Sequence, residues 1–588
     1  MSIFTLRNIK YLITVNIFIL LILPQLNNVH YDPLPQFWAE TWVAWAAISL
    51  FFITCIANKS LSIPKITLPL LLLTIYIAIQ PQLVHISFPG LSYITAMEFF
   101  ICIILAISIS SIVSAYGIAE TVTIFAQALV TGAMLQSAIG FLQYTGHFNL
   151  FGDFLFYDAA HPTTNIFGHF GQRNHYCHYL SWAIFGLIYL YLTNKILRSN
   201  FYTILLWFMF SITIAASRSV FIYFAMSMLI SGAYFGLKRD VISRKLFMIM
   251  IISTVALFIF EYSYPVVQNI IHGQVANSHQ IQSGLQRLSD TTADNGTGRR
   301  IVEWQKAWLT FRSNPIFGFG LNEYAHQSVF LQPLFKHTPM NNGLFTNCHN
   351  LILQFLAETG IIGTVIIIFG LLWSLYGLVK RSTLESIIIL CMVATTITHS
   401  MVEYPLWYFY FLSPLIMFLS LDKPLFNLGR GAIATITVIP LAFIIYLLIT
   451  GSILFNNIVY YIDAPKDKTT FLSQGKYLEK LVSNNILWAF PAMFTLDNYI
   501  NVNNPNTNAL FDLNTQLKYE TLFTYSHPYP DSLIKLAMLN WNAGNYPLAK
   551  EYATLAISAF PVYKKTFLTT LKDVKYKELN DIVLNYKE

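Results

Sequence analysis

Apolar runs of membrane-spanning length recur along the first 455 residues, and they limit what this chain can fold into. A helix needs about 20 apolar residues to cross a hydrocarbon core of roughly 30 Å. We predict thirteen spans, at residues 11–27, 37–57, 66–84, 93–114, 119–142, 175–193, 202–216, 219–236, 246–263, 350–378, 384–400, 406–421 and 432–455. The fold class expected is an all-α, polytopic membrane helix bundle.

The composition agrees with this expectation. Hydrophobic residues make up 55% of the chain and charged residues only 11%, whereas a soluble domain carries about 25% charged residues. The net charge of +7 therefore says little about nucleic acid. The first apolar run has no small-residue cleavage site after it, so we interpret it as a retained helix and not as a signal peptide.

The basic residues predict the orientation, because Lys and Arg concentrate in short cytoplasmic loops. With the N-terminus inside, the short outer loops hold Arg173 and Arg218. The cytoplasmic segments hold Arg7, Lys10, Lys59, Lys65, Lys195, Arg198, Lys238, Arg239, Arg244, Lys245, Lys380, Arg381, Lys423 and Arg430. We therefore expect a multi-pass protein of the bacterial inner membrane, with a cytoplasmic N-terminus and a periplasmic C-terminus.

Two larger segments fall outside in this topology. Residues 1–455 are predicted to form the membrane domain, including a polar loop at about 264–347 with a helical pattern near Ile301–Phe311. Residues 456–588 are predicted to form a periplasmic α-helical domain. Within it, small residues around Gly544 have the spacing of a tetratricopeptide-like hairpin, although an ordinary helical hairpin fits as well. Either hairpin suits contact with a protein partner.

Polar residues cluster where the predicted spans meet the outer face, and such groups are costly near lipid. The cluster comprises Gln172, Arg173, Asn174, His175, Arg218, Arg299, Arg300, His349, Asn350, Glu403 and Tyr404. Arginines at this level suggest an anionic ligand, since their forked donors suit phosphate. Phosphate at headgroup depth with a tail in lipid describes a lipid phosphate or pyrophosphate. The histidines and Glu403 could supply acid–base chemistry near neutral pH.

Several of these residues also have a purely structural interpretation. Arg173 could anchor in headgroups, and His175 could be an interfacial packing residue. Glu403 could only pair with an arginine or His399, and Tyr404 fits an aromatic belt. Among the eleven, His349 is the best catalytic candidate. The segment from Pro315 to Gly320 is predicted to be a structural turn that closes the loop over the site.

The sequence contains no P-loop, GxGxxG, HExxH or GxSxG motif, so it gives no support for nucleotide hydrolysis or for zinc or serine proteolysis. The five cysteines show no metal spacing. Cys177 and Cys348 are both predicted near the outer face. In an oxidising compartment a disulfide between them is possible, and the sequence does not decide whether it forms. No metal and no cofactor are expected.

Three groups of motifs resemble the O-antigen ligase/polymerase superfamily of bacterial membrane glycosyltransferases. They are Gly171-Gln172-Arg173-Asn174-His175, then Arg299/Arg300 with Pro315-x-x-Gly318-x-Gly320, then His349-Asn350 with Glu358-x-Gly360. Glu403-Tyr404-Pro405-Leu406, and Pro33-Leu34-Pro35-Gln36-Phe37 with Glu40, resemble the PglL-type protein O-oligosaccharyltransferases in particular. The similarity extends over nearly the whole chain, tail included.

This resemblance implies an inverting, metal-free transfer of glycan from an undecaprenyl-pyrophosphate-linked donor to Ser or Thr of an exported protein, such as a pilin. It places the essential histidine on His349, the functional glutamine on Gln172 and the functional tyrosine on Tyr404. It places diphosphate-binding arginines on Arg173, Arg218, Arg299 or Arg300, with Asn174, His175, Asn350 and Glu403 in support. Arg173 departs from the PglL-type pattern, where an apolar residue or Pro is expected.

Two other functions remain open at this point. An O-antigen ligase or a polysaccharide polymerase would use the same donor. A transporter of lipid-linked glycans is less favoured, because its polar groups should extend through the bilayer and here they lie at one face. The histidine could act as a general base or could only orient the hydroxyl.

Overall fold

The structure is a computed structural model that describes residues 6–272, 284, 297–336, 338, 340 and 343–586. Nine helices form its first part: α1 Leu6–Ile22, α2 Phe37–Ala57, α3 Thr67–Leu83, α4 Pro89–Tyr116, α5 Ile118–Tyr144, α6 Arg173–Leu192, α7 Arg198–Ala215, α8 Ser219–Lys238 and α9 Val241–His272. Two shorter helices follow, α10 Thr297–Ser313 and α11 Tyr324–Phe330. The remaining bundle helices are α12 Leu351–Arg381, α13 Leu384–Ser400, α14 Phe409–Leu419 and α15 Arg430–Tyr460.

Each of the thirteen predicted spans coincides with one of these helices. Among the described residues, 8 helices are long and apolar enough to cross a membrane. Three of the others, α3, α13 and α14, are shorter apolar helices. The prediction of an all-α, polytopic membrane protein is therefore confirmed.

One short sheet is an element that the sequence did not predict. Strand β1, Ser60–Ile63, pairs antiparallel with β2, Phe426–Gly429. Beside it, Lys65 Nζ contacts Asp422 Oδ2 at 2.5 Å, and the amide of Arg430 donates to the Lys59 carbonyl at 2.9 Å. The loops predicted to be cytoplasmic thus meet at one end of the bundle; which side of the membrane that end faces stays a prediction.

Helix α6 lies in the centre of the bundle and carries part of the polar cluster at its start. Its residues from His175 to Leu190 are all buried. The indole of Trp182 donates to the Met392 carbonyl of α13 at 2.9 Å, and the hydroxyl of Tyr179 donates to the Leu21 carbonyl of α1 at 2.7 Å. These bonds fix the depth and rotation of α6, and hence the position of Gln172 and Asn174.

The segment from Pro315 to Gly320 docks on a break in α12. Gly360 has φ +61° inside that helix, which interrupts the ladder of backbone bonds. The freed groups bond to the segment: Phe319 N donates to Ala357 O at 2.8 Å, and Ile361 N to Pro315 O at 2.9 Å. The turn predicted here is present, and its partner is the backbone of the helix that His349 precedes.

The tail is helical throughout its described elements, as expected. After α15 come α16 Lys468–Asn484, α17 Ala489–Asp497, α18 Pro505–Leu510, α19 Leu513–Ser526, α20 Pro530–Asn542, α21 Tyr546–Ala559, α22 Lys564–Thr570 and α23 Lys577–Asn585. The hairpin predicted from sequence is α20 and α21, with Gly544 at φ +81° in its turn. Ala537 and Ala549 are fully buried where the two helices touch. The other helix pairs of the tail were not predicted.

The tail packs on the bundle through aromatic rings and on the outer loop through backbone bonds. Trp488 of the tail lies edge-on to Phe37 of α2 with ring centroids 5.9 Å apart, and Phe37 also stacks on Phe455 of α15 at 4.3 Å. The amide of Met340 donates to the Ala559 carbonyl at 2.9 Å. The segment that leads to His349 is therefore held against the tail. The predicted division at residue 455 stays a prediction.

Candidate active site

Glu403 is the centre of the polar cluster. Its carboxylate accepts from Asn174 Nδ2 at 3.1 Å and from Gln172 Nε2 at 3.3 Å. Arg300 of α10 forms an ion pair with the same group, and His349 Nε2 lies 3.6 Å from its second oxygen. Three chain segments that are far apart in sequence therefore converge on one carboxylate, whose side chain is only 5% exposed.

The turn after α13 presents Glu403 to the cluster. The amide of Glu403 donates back to the His399 carbonyl at 2.8 Å, so the chain closes a tight turn as the helix ends. Pro405 then begins a short 3-10 helix, Pro405–Trp407, which suits its fixed φ and missing donor. Glu403 and Tyr404 are thus held between two rigid elements.

His349 has the backbone geometry of a strained site. Its φ of +59° is in the left-handed region that costs an ordinary residue roughly 1–2 kcal/mol. Such strain is often found at functional sites. The next residue, Asn350, caps α12 by accepting from the Leu353 amide at 3.1 Å, as an N-cap asparagine is expected to do. The cap and the strained residue together fix the direction of the imidazole.

The hydrogen bonds of His349 determine which ring nitrogen carries the proton. Nδ1 lies 3.0 Å from the Asn347 carbonyl, and since a carbonyl only accepts, Nδ1 must be the donor. In the neutral ring Nε2 is then the basic nitrogen, and it points toward Glu403. Burial lowers the pKa of His349, Arg300 lowers it further, and Glu403 opposes both. A neutral imidazole with an available Nε2 can accept a proton.

Tyr404 lies against His349. The two ring centroids are 5.1 Å apart in an edge-on arrangement, and Tyr408 stacks behind Tyr404 at 5.9 Å. Burial raises the pKa of Tyr404, and Glu403 raises it further. The phenol therefore keeps its proton near neutral pH and can donate a hydrogen bond at the site.

The two adjacent arginines of α10 have different surroundings. Consecutive residues of a helix point about 100° apart, so one faces Glu403 and the other faces inward. Arg299 is buried, donates to Gln332 at 3.0 Å and to the Thr338 carbonyl at 2.7 Å, and pairs with Glu303. Arg300 is the arginine that the structure brings to the cluster, while Arg299 lies outside it.

Arg218 lies within electrostatic reach of the cluster, at the start of α8. Burial lowers its pKa, the positive charge of Arg300 lowers it further, and Glu403 opposes the effect. The guanidinium groups of Arg218 and Arg300 are therefore close enough to influence one another, and together they bring positive charge to this part of the molecule. Such an arrangement attracts a multiply charged anion.

Two predicted residues lie away from Glu403. Arg173 donates to Asn165 Oδ1 at 2.8 and 3.2 Å, which ties the start of α6 to the preceding loop. His175 is buried among rings, with Tyr408 at 4.8 Å and Phe411 at 5.0 Å. Among the residues that the structure describes, neither Arg173 nor His175 forms a hydrogen bond or an ion pair with Glu403. Their predicted roles at the donor stay untested.

The sequence missed the buried ion-pair network that anchors α10. Glu303 has no exposed surface and also binds Lys306 Nζ at 3.1 Å and the Tyr324 hydroxyl at 2.8 Å. Burial lowers the pKa of Lys306 to about 8, while Glu303 opposes the shift. The spacing of these residues was a signal for the network. Arg299 and Glu303 are four residues apart and Glu303 and Lys306 are three apart, so both pairs can meet on one face of a helix.

All five cysteines are free thiols in the structure. Cys177 contacts the Ile212 carbonyl at 3.8 Å, and Cys348 contacts the Asn350 carbonyl at 3.4 Å. The disulfide left open by the sequence is therefore not formed here. Cys348 instead packs in a small buried cluster with Ala307, Tyr324 and Ala357, as a small apolar side chain.

The chain matches three protein-family models. One described as "O-Antigen ligase" matches residues 203–368, which include Arg300 and His349. One described as "Virulence factor membrane-bound polymerase, C-terminal" matches residues 387–572, which include Glu403. One described as "Protein glycosylation ligase" matches residues 166–191, which include Gln172 and Asn174. Each segment that contributes to the contacts around Glu403 thus falls within one of the three matches.

A curated relative agrees with these family matches. The "General O-oligosaccharyltransferase" of Acinetobacter baylyi is 25% identical over 424 residues, which cover 70% of each chain. With the fold and the family models, this similarity supports a membrane-bound enzyme of the O-antigen ligase class. The resemblance to the PglL-type oligosaccharyltransferases is supported by the same comparisons.

Proposed function

We propose that this enzyme transfers a glycan from an undecaprenyl-pyrophosphate-linked donor to a Ser or Thr hydroxyl of an exported protein, such as a type IV pilin. The transfer takes place at the periplasmic face of the inner membrane. The observation that carries the proposal is the convergence of His349, Arg300, Gln172 and Asn174 on Glu403. A base and a cation beside one another are the two groups that this reaction requires.

The bonds that change assign the site residues to roles. The hydroxyl oxygen attacks the anomeric carbon on the face opposite the pyrophosphate, so the new C–O bond inverts the configuration. The old C–O bond breaks, and its electron pair leaves on the pyrophosphate. Arg300 and Arg218 neutralise the charge that develops there, which is the effect of a preorganised electrostatic site. The hydroxyl proton moves to Nε2 of His349.

Glu403 organises these groups. Its carboxylate stabilises the imidazolium that forms when His349 takes the proton, because opposite charges at 3.6 Å attract strongly in a buried site. It also holds Arg300 and the amides of Gln172 and Asn174 in place. Gln172 and Tyr404 then position sugar or phosphate oxygens, and such positioning lowers the entropic part of the barrier. These steps need no metal or cofactor.

Intact mass spectrometry of an acceptor tests the proposal. The chain is co-expressed with a pilin and a lipid-linked glycan pathway, and the pilin is weighed. We expect the pilin to gain the mass of one glycan, and to gain nothing when the gene is deleted. If no exported protein gains glycan mass, the protein-acceptor proposal is wrong.

The match to a membrane-bound polymerase model over residues 387–572 favours a second candidate. An O-antigen ligase or a polysaccharide polymerase would use the same donor and the same base. Lipopolysaccharide from the same cells is therefore separated on a gel. Completion of lipopolysaccharide without any glycosylated protein would establish the ligase function, and longer glycan chains would establish the polymerase function.

A further inference from the structure

A cavity of about 670 Å³ lies between the tail helices and the segment that leads to His349. We call it the tail cavity; its lining includes Leu344, Asn501, Tyr529, Asp531, Lys535 and Phe567. The volume is within the range of cavities that hold a specific ligand. Apolar and aromatic walls with a few polar groups suit a polypeptide segment.

The tail cavity is linked to the candidate active site by the chain segment that precedes His349. Leu344 lines it and precedes His349 by five residues, so an extended chain separates them by at most about 18 Å. The ring of Phe345 lies 5.7 Å from the ring of His349. Both Leu344 and Phe345 pack against the hydrophobic core that the tail helices form. The cavity and His349 are therefore near neighbours along this segment.

The charges in the cavity leave one carboxylate uncompensated. Lys535 Nζ pairs with Asp497 Oδ1 at 2.5 Å. The same ammonium lies 3.7 Å from Glu520 Oε2. Burial and Asp497 raise the pKa values of Glu520 and Asp531, and Lys535 opposes both shifts. Asp531 is exposed in the first turn of α20 and forms no ion pair within 4 Å among the described residues. The cavity thus has a surplus of negative charge.

Exposed amides complete the recognition surface. Asn498, Asn501 and Asn503 line one wall of the cavity, and all three are exposed. An asparagine side chain both donates and accepts, so it can pair with the backbone of an extended peptide. Tyr529 and Phe567 also line the cavity and offer apolar surface to side chains.

We propose that the tail cavity binds an extended segment of the acceptor polypeptide that has a Lys or Arg near the glycosylated Ser or Thr. Asp531 is the partner of that basic side chain. The inference rests on the proposed function, since it names what the same enzyme recognises in its acceptor. It makes acceptor choice a property of the tail, whereas donor choice belongs to the cluster around Glu403.

Charge reversal at the cavity tests the role of Asp531. Purified full-length enzyme receives lipid-linked donor and short synthetic peptides in which a single Ser is flanked by Lys, Gln or Glu. We expect Asp531→Lys to raise the KM for the Lys peptide about tenfold, because like charges then meet, and to lower it for the Glu peptide. The kcat at saturating peptide should not change. Glu551→Lys, on the exposed part of α21, is the matched control and should behave as wild type.

A bulky residue tests whether the cavity itself is used. Thr570 lines it, and Thr569 is exposed beside it. We expect Thr570→Trp to raise the KM for all three peptides, with Thr569→Trp unchanged. An unchanged peptide KM in both Asp531→Lys and Thr570→Trp overturns the inference, as does a change in donor KM alone, which assigns the cavity to glycan. If the wild type glycosylates no peptide and no exported protein, the proposed function itself fails.

Discussion

At the scale of single residues, His349 is where the chemistry is concentrated. The substitution His349→Asn is a sharp test, because asparagine tolerates a positive φ better than most residues. The observed φ of +59° can then be kept while the basic nitrogen is lost. We expect glycan transfer to fall about 10²- to 10⁴-fold, the usual contribution of a general base. Transfer is measured as the rate of glycosylated acceptor formed at saturating donor.

The control for this experiment is insertion and folding of the variant. His349→Asn should reach the membrane in normal amount and elute as the wild type does in size-exclusion chromatography. A variant that folds and keeps the full rate contradicts the assignment of His349 as the proton acceptor. If the rate is retained, His349 only orients the hydroxyl or only supports the structure of its loop.

The charges around His349 predict that substitutions of Arg300 and of Glu403 shift the pH dependence of kcat in opposite directions. The neutral imidazole is the active form, so the rate falls as the pH drops through a pKa that burial and Arg300 hold below 6.5. Arg300→Gln removes a charge that lowers this pKa, so the acidic limb of the kcat profile should move to higher pH. Glu403→Gln removes a charge that raises it, so the limb should move to lower pH.

The measurement is the pH dependence of kcat for wild type and both variants, with donor and acceptor saturating. Opposite shifts identify His349 as the titrating group, since a merely structural loss would reduce the rate at every pH alike. Shifts in the same direction, or none, would show that another group controls the limb.

Which of these residues could be predicted depended on how far their partners lie in the sequence. His349 and Gln172 stand in local motifs, so the pattern alone indicated them. The central position of Glu403 could not be predicted, because its ligands Asn174, Gln172 and Arg300 are 229, 231 and 103 residues away. The choice between Arg299 and Arg300 depended on the rotation of α10, which only packing determines.

At the scale of elements, the break in α12 links the outer loop to the active site. An ideal Cβ on Gly360 would lie 2.3 Å from the Ile316 carbonyl, and one on Gly318 would lie 2.3 Å from the Glu358 carbonyl. Both glycines also have positive φ. Two backbones therefore approach more closely than any side chain permits.

We expect Gly360→Ala to destabilise the protein by about 2–4 kcal/mol, because backbone strain and a clash with rigid backbone combine. Thermal unfolding in detergent, followed by tryptophan fluorescence, measures the loss. Gly236→Ala is the matched control: this glycine is in α8 with nothing within 4 Å of its added Cβ, and its midpoint should be unchanged or slightly higher. Equal midpoints for the two variants would show that the docked turn does not contribute to stability.

The helices themselves could largely be predicted from hydropathy, whereas the contacts that join one element to another could not. A turn from Pro315 to Gly320 follows from its Pro and Gly content. Its docking on α12 does not, because the pairing joins Phe319 to Ala357 through tertiary hydrogen bonds. The β1–β2 pair could not be predicted for the same reason. Each strand has only four residues, and paired residues such as Ser62 and Asn427 are 365 residues apart, so the sequence contains no periodic signal for them.

At the scale of the whole molecule, the two ends of the bundle have different chemistry. One end joins Lys59, Lys65 and Arg430 around the short sheet, and the other gathers the cluster around Glu403 and the tail. Positive charge at one end favours the cytoplasmic side. In the predicted orientation, the tail and the candidate active site share the periplasmic side, where the proposed lipid-linked donor and exported acceptor can meet.

Cysteine labelling can determine this orientation directly. Four of the native cysteines are buried and Cys55 is only partly accessible, so the background should be low. Lys572 in the tail and Lys423 next to β2 are both exposed. In spheroplasts with an intact inner membrane, a membrane-impermeant maleimide should label Lys572→Cys and leave Lys423→Cys unmodified. After permeabilisation both should react, which controls for local reactivity. Labelling of Lys423→Cys alone in intact spheroplasts would place the site in the cytoplasm, where an exported acceptor could not be its substrate.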